Sequence, residues 1–143
     1  KLMGYPVKLD TNGNNPEMLE NLLENNLVDF IAMDIKTSFG RYSAAAGIAV
    51  DINRISRSIE LIRSKSPDYE FRTTVVPSLV DENDMRSIAQ ICKGVKIFYL
   101  HQFRSFITYD EEYKDIKSYG PDVLESFKKI LEETIPLVCI RGL

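Results

Sequence analysis

The sequence predicts an α/β fold built on a parallel sheet. Short apolar or β-branched runs alternate with longer segments whose apolar residues recur at three and four positions. The two kinds succeed one another at intervals of roughly 25 to 40 residues, the signature of repeated βαβ units. Residues that start or stop helices stand at most of the junctions. A chain of 143 residues, 44% hydrophobic and 27% charged, is of the size and composition of one globular domain, taken here as residues 1–143.

The elements follow in order. Lys1-Leu2-Met3-Gly4 reads as the last turn of a helix closed by glycine, and predicts a chain cut from a longer one. Pro6 to Asp10 reads as a strand. Asn15-Pro16 then offers a cap followed by proline at the first helical position, and Leu19, Leu22, Leu23 and Leu27 form one helical face. Phe30 to Ile35 (FIAMDI) is too short for a helix and suits a strand covered on both faces. Asp51 to Arg63 carries Ile52, Ile55, Ile59 and Ile62 at helical spacing, and Phe71 to Val76 is a β-branched strand stopped by Pro77. Asp81 caps a helix with Met85, Ile88, Ile91 and Cys92 inward, closed by Gly94, and VKIFYL is the next strand. Tyr109 to Tyr119 is acidic and tyrosine-rich, a surface connection. Gly120-Pro121 leads into a helix with Leu124, Phe127, Ile130 and Leu131 on one face, and LVCI after Pro136 is a last short strand. Four or five strands are too few to close a (β/α)8 barrel, which leaves a partial barrel or a flavodoxin-like open sheet.

Composition removes several functions. A net charge of −3 provides no basic footprint for phosphate backbones or anionic lipid, so nucleic acid is not expected as a partner. No apolar run approaches the roughly 20 residues that cross a bilayer, and no signal segment opens the chain, so no membrane is expected and the location read is cytoplasmic. Cys92, Cys139 and the lone His101 are too far apart in sequence for a zinc or iron-sulfur motif.

In parallel α/β folds ligands bind beyond the carboxyl ends of the strands, and here those ends are polar. They read Lys8-Leu9-Asp10-Thr11, Asp34-Ile35-Lys36, Arg72-Thr73-Thr74 and His101-Gln102-Phe103-Arg104. Alternate residues share a face about 6 to 7 Å apart, which pairs Lys8 with Asp10, Asp34 with Lys36, Arg72 with Thr74 and Gln102 with Arg104. Charges beside apolar strands are costly unless paired, hydrated or given a ligand. The set suits a zwitterion or polyol: Lys36, Arg72 or Arg104 for a carboxylate, Asp10 and Asp34 for an ammonium, a hydroxyl or a hard cation, and Thr11 or Gln102 for a ribose or an amide. There is no serine-histidine-acid arrangement and no glycine-rich phosphate loop. A Schiff-base lyase using Lys36 is an enzymatic alternative, and a non-catalytic module that binds a protein through the acidic Tyr109 to Tyr119 segment is a second.

GYPVKLDTNG, FIAMDIK, DYEFRTTVVP, FYLHQFR and VCIRG resemble, in that order, the C-terminal two-thirds of radical S-adenosylmethionine activating enzymes. The likeness is nearest to the anaerobic ribonucleoside-triphosphate reductase activating proteins, relatives of the pyruvate formate-lyase activating enzyme. It implies a partial (β/α)6 TIM-like barrel with its N-terminal units missing. It also implies a 4Fe-4S cluster that reductively cleaves S-adenosylmethionine to methionine and a 5′-deoxyadenosyl radical, which generates a glycyl radical on a partner enzyme.

By the same resemblance Asp10 and Thr11 lie beside the methionine moiety, Asp34 and Lys36 are the acid and base of the next strand, and Gln102 and Arg104 lie near ribose and adenine. Asp10 and Asp34 resemble a monovalent-cation site of some relatives. Arg72 fits either the cofactor carboxylate or the partner's glycine loop. His101, on the opposite alternation from Gln102 and Arg104, is read as structural. The family's CxxxCxxC loop is not in this sequence, so the chain by itself is expected to lack redox activity, with no catalytic residue and no cluster ligand of its own. An unpaired outer edge on the first strand is expected to favour a dimer.

Overall fold

Five strands pair in the order in which the chain makes them, all parallel: β1 (Lys8–Thr11), β2 (Phe30–Asp34), β3 (Tyr69–Val75), β4 (Phe98–Gln102) and β5 (Val138–Arg141). This is a computed structural model, and it describes residues 1–108 and 111–143. The sequential order has no reversal point, so the sheet is a barrel segment and not a flavodoxin-like open sheet.

The crossovers run through α1 (Pro16–Glu24), the short α2 (Tyr42–Ala46) with α3 (Ile52–Lys65), α4 (Glu82–Ile91) and α5 (Pro121–Glu132). Local chemistry sets their ends. The Asn15 side chain accepts the Met18 N–H ahead of Pro16, Asp51 accepts from Asn53, and Asp81 with Asp84 forms a reciprocal capping box on α4. All the helices feed one core. Leu19, Ile55, Ile59, Ile62, Met85, Ile88, Leu124 and Leu131 cluster with Ile31, Met33, Phe71, Val75, Phe98 and Leu100 of the strands. One sheet face is thereby filled, and the alternate residues form an open face that carries the charge.

Several elements depart from expectation. Leu27 lies past the end of α1, beyond Asn26 at φ 53, and is exposed. β3 begins at Tyr69 and β4 runs over 98–102, so the polar His101 and Gln102 are inside the strand. The helix α2 had no periodic signal, being a single turn and a half anchored by the buried Tyr42. Gly4 closes a turn onto the Lys1 carbonyl at 2.8 Å in the left-handed conformation. Tyr109 and Asp110, at the head of the acidic connection, lie outside the described residues. The connection ends packed down: Ser118 Oγ donates to the Phe103 carbonyl at 2.8 Å and Tyr119 Oη to that of Val80 at 2.9 Å.

Candidate functional site

The charges of the open face form a connected network at the carboxyl ends of β1, β2 and β3. Register puts Asp34 beside Arg72 on neighbouring strands. Arg72 is the hub: Nε donates to Asp34 Oδ1 at 2.5 Å and Nη1 to Asp10 Oδ1 at 2.7 Å. Lys36, two residues past Asp34, donates to its Oδ2 at 3.1 Å, and Lys8 Nζ lies 3.5 Å from Asp10 Oδ1. Burial works to raise the Asp34 carboxyl, but the bonds from Arg72 and Lys36 outweigh it and hold the group below its usual range. Burial works to lower Arg72, and its two aspartates more than reverse that, so the pairs are ionised.

A second cluster lies on the same face. Arg141 of β5 donates from Nη1 and Nη2 to Glu70 of β3 at 3.2 and 3.1 Å, and its guanidinium stacks 3.3 Å over the Tyr99 ring. His101 is in register with Thr74 on one side and Arg141 on the other. Burial, then the charges of Arg141 and Arg72, hold its imidazole below the ordinary value, so it is neutral at pH 7. Its Nε2 is buried and has no hydrogen-bond partner among the described residues.

Two loops wall the rim. Thr37 Oγ1 donates to the Leu79 carbonyl at 2.7 Å, and Arg41 holds Asp81 and Asp84 and donates to the Ser78 carbonyl at 2.8 Å. The loop after Lys36 is thus tied to the loop after β3. Between them is a cavity of about 180 Å³ lined by Asp34, Lys36, Thr74 and Leu79. A second cavity, of about 300 Å³, also touches Lys36 and reaches Asn12, Asn14 and Tyr42.

Of the residues singled out from sequence, Asp10, Asp34, Lys36 and Arg72 come together. Thr11, Gln102 and Arg104 do not join them. Thr11 is on the helix-facing alternation and its Oγ1 accepts the Gly13 N–H at 3.1 Å. Gln102 pairs in register with the buried Val75, on the filled face, and its Nε2 donates to the Tyr119 carbonyl at 2.8 Å. Arg104 is exposed, with Nη2 3.4 Å from the Gly142 carbonyl at the end of β5. The phase expected for β4 is therefore reversed: His101, not Gln102, shares the face of Arg72. The signal was in FYLHQ, since Phe98 and Leu100 are the more apolar alternation and claim the core, leaving Tyr99 and His101 for the open face. Glu70 and Arg141 gave no such signal.

Lys36 is ion-paired and its side chain is 40% exposed, which is not the dry apolar pocket a Schiff-base lysine needs. The guanidinium of Arg72 stands between Asp10 and Asp34, where a monovalent cation would otherwise bridge them.

S-adenosylmethionine fits these residues. Its amino-acid end carries a carboxylate and an ammonium, matched by a network of both signs, and the partnerless His101 Nε2 suits a ligand hydroxyl or ring nitrogen. An iron-sulfur cluster does not fit. Among the described residues no group of three His, Cys, Asp or Glu could hold a metal, and the two cysteines are on opposite faces of the sheet, Cys92 in the core and Cys139 on the open face in register with Tyr99.

No helix among the described residues is long and apolar enough to cross a membrane. No protein-family model matches the chain. Along 99% of its length it is 36% identical to a protein of Methanocaldococcus jannaschii provisionally named a glycyl-radical enzyme activating enzyme, and it spans 60% of that protein's length. Its fold matches a crystallised domain of a pyruvate-formate lyase-activating enzyme from Bacteroides vulgatus with a TM-score of 0.74, covering 99% of this chain and 84% of that one at 15% identity, a likeness of fold. The chain is thus similar in sequence to part of one protein provisionally named a glycyl-radical enzyme activating enzyme, and it is folded like a domain of a pyruvate-formate lyase-activating enzyme.

Proposed function

We propose that this chain is part of an enzyme that reductively cleaves S-adenosylmethionine and generates a glycyl radical on a partner enzyme of the anaerobic ribonucleotide reductase or pyruvate formate-lyase kind, in the cytoplasm. The observation that carries the reading is the network Lys8, Asp10, Arg72, Asp34 and Lys36 at adjacent strand ends, where parallel α/β sheets bind ligands. Likeness to a named activating enzyme supports the reaction class.

When bound, S-adenosylmethionine supplies the group that removes a hydrogen atom from the partner's glycine. The protein's own part is binding and orientation. Lys36 and Arg72 take the cofactor carboxylate, Asp34 and Asp10 its ammonium, and the neutral His101 meets a polar atom of its nucleoside end through Nε2. Roles for Thr11, Gln102 and Arg104 rest on the resemblance alone, because their side chains turn to Gly13, Tyr119 and Gly142. The 4Fe-4S cluster that the reaction requires has no ligands among the described residues. The outer edge of β1, unpaired among the described residues, is the surface through which a dimer would form.

Titration calorimetry with S-adenosylmethionine tests the site. Asp34→Ala and Lys36→Ala should each weaken binding about tenfold or more, the loss expected for a charge-assisted contact. Equal affinity in both variants would refute the assignment.

A further inference from the structure

Glu70 is a carboxylate of the open face whose side chain is only 5% exposed, and two arginines meet on it. Arg141 grips it through both terminal nitrogens, and the same Oε1 lies 3.8 Å from Arg72 Nη1. Strand order puts β4 between Glu70 and Arg141, so the guanidinium must span that strand, and Tyr99 is the surface on which it lies. A buried carboxylate is costly unless paired and hydrogen-bonded, and two guanidinium groups this close repel unless a negative charge stands by them. Glu70 meets both conditions with one group. It holds both guanidinium groups on the open face, with His101 between the strands that carry Arg72 and Arg141.

We propose that Glu70 is a positioning residue of the S-adenosylmethionine site: it pins Arg141 over Tyr99 and steadies Arg72, so that the two guanidinium groups flank His101 and form with it the wall that meets the nucleoside end of the ligand. This rests on the site assignment proposed for the function. A lysine at 141 would keep the charge and lose both the fork and the flat stack, so the geometry, not the charge alone, is what Glu70 sets.

His101 is the only histidine of the chain, so its imidazole resonance reports the wall directly. The charged groups around it are Arg141 from β5, Arg72 and Glu70 from β3, and Asp34 from β2. Its titration in the unliganded chain, followed by nuclear magnetic resonance, should move up in Arg141→Gln, which removes a repelling cation. It should move down again when Glu70→Gln is added to that variant, because an attracting carboxylate is lost. A midpoint unmoved by either change would overturn the arrangement.

Calorimetry with S-adenosylmethionine gives the second readout. Glu70→Gln and Arg141→Gln should each weaken binding about tenfold, the double variant no more than either alone, and Arg141→Lys should not restore it. Additive losses, or full affinity in Glu70→Gln, would overturn the positioning role. Failure of the unaltered chain to bind S-adenosylmethionine would refute the site assignment, and the titration then decides by itself whether Glu70 holds the wall. Should Glu70→Gln fail to fold, Arg141→Gln, whose side chain is 43% exposed, carries both measurements.

Discussion

Replacing Arg72 by glutamine removes the hub of the rim. Its bond to Asp34 joins a side chain 19% exposed to one 34% exposed, and a charge-assisted bond of that burial contributes about 1.5 kcal/mol. The bond to Asp10, whose side chain is 51% exposed, adds about 0.5 kcal/mol after solvent screening. Arg72→Gln should therefore cost about 2 kcal/mol at neutral pH. In a chain of this size the melting temperature would fall by roughly 6 °C. The pH dependence has a definite sign. Asp34 titrates below its usual range in the folded chain, so the stability it contributes is full above the unfolded value and is lost as the pH falls through the folded one. The deficit of the variant should be complete at pH 7 and shrink once the pH drops below about 4. Urea unfolding followed by circular dichroism at pH 7 and in mild acid measures both. A deficit of equal size at the two pH values, or none at pH 7, would refute the reasoning.

Other consequences are more local. Gly13 sits at φ +75, and a Cβ there would meet Met33 Cε at 2.0 Å, so Gly13→Ala should destabilise by about 2 kcal/mol in the same urea assay. Asp84 is buried and binds the Asp81 N–H, Ser38 and Arg41, which makes Asp84→Asn worth about 2 to 3 kcal/mol. Hydrogen exchange should then quicken over the loop after β3, and unchanged protection there would count against the tie. Burial pushes the Cys92 thiol up to about 12, so at pH 8 it should react with a thiol reagent only as fast as the chain opens. Labelling of both cysteines within seconds in the folded chain would contradict that burial.

Where the expectations met the structure, the physics was local. Asn15-Pro16 and Asp81 cap their helices because the satisfied N–H groups lie two or three residues away. FIAMDI supplies β2 through its first five residues because so short a run cannot make a stable helix while a sheet can pair it, although only the helix side is fully covered and Asp34 faces the open side. Within β1, β2 and β3 the alternation that joins Lys8 to Asp10 and Asp34 to Lys36 held, since it needs only the two-residue period of a strand.

What failed required a neighbour. A period of two says that His101 and Gln102 face opposite ways, but not which of them faces the ligand side, and a one-residue change of phase exchanges them. Pairing with β3 decides it, by setting Gln102 against Val75 and His101 against Thr74. The union of Glu70 with Arg141, 71 residues apart, is likewise invisible in the written order. The sequence by itself determined the α/β class, the helix ends and a rim rich in paired charge, because each follows from contacts a few residues long. Only the tertiary structure decided which charges meet, because register and strand order bring residues together without regard to their separation along the chain.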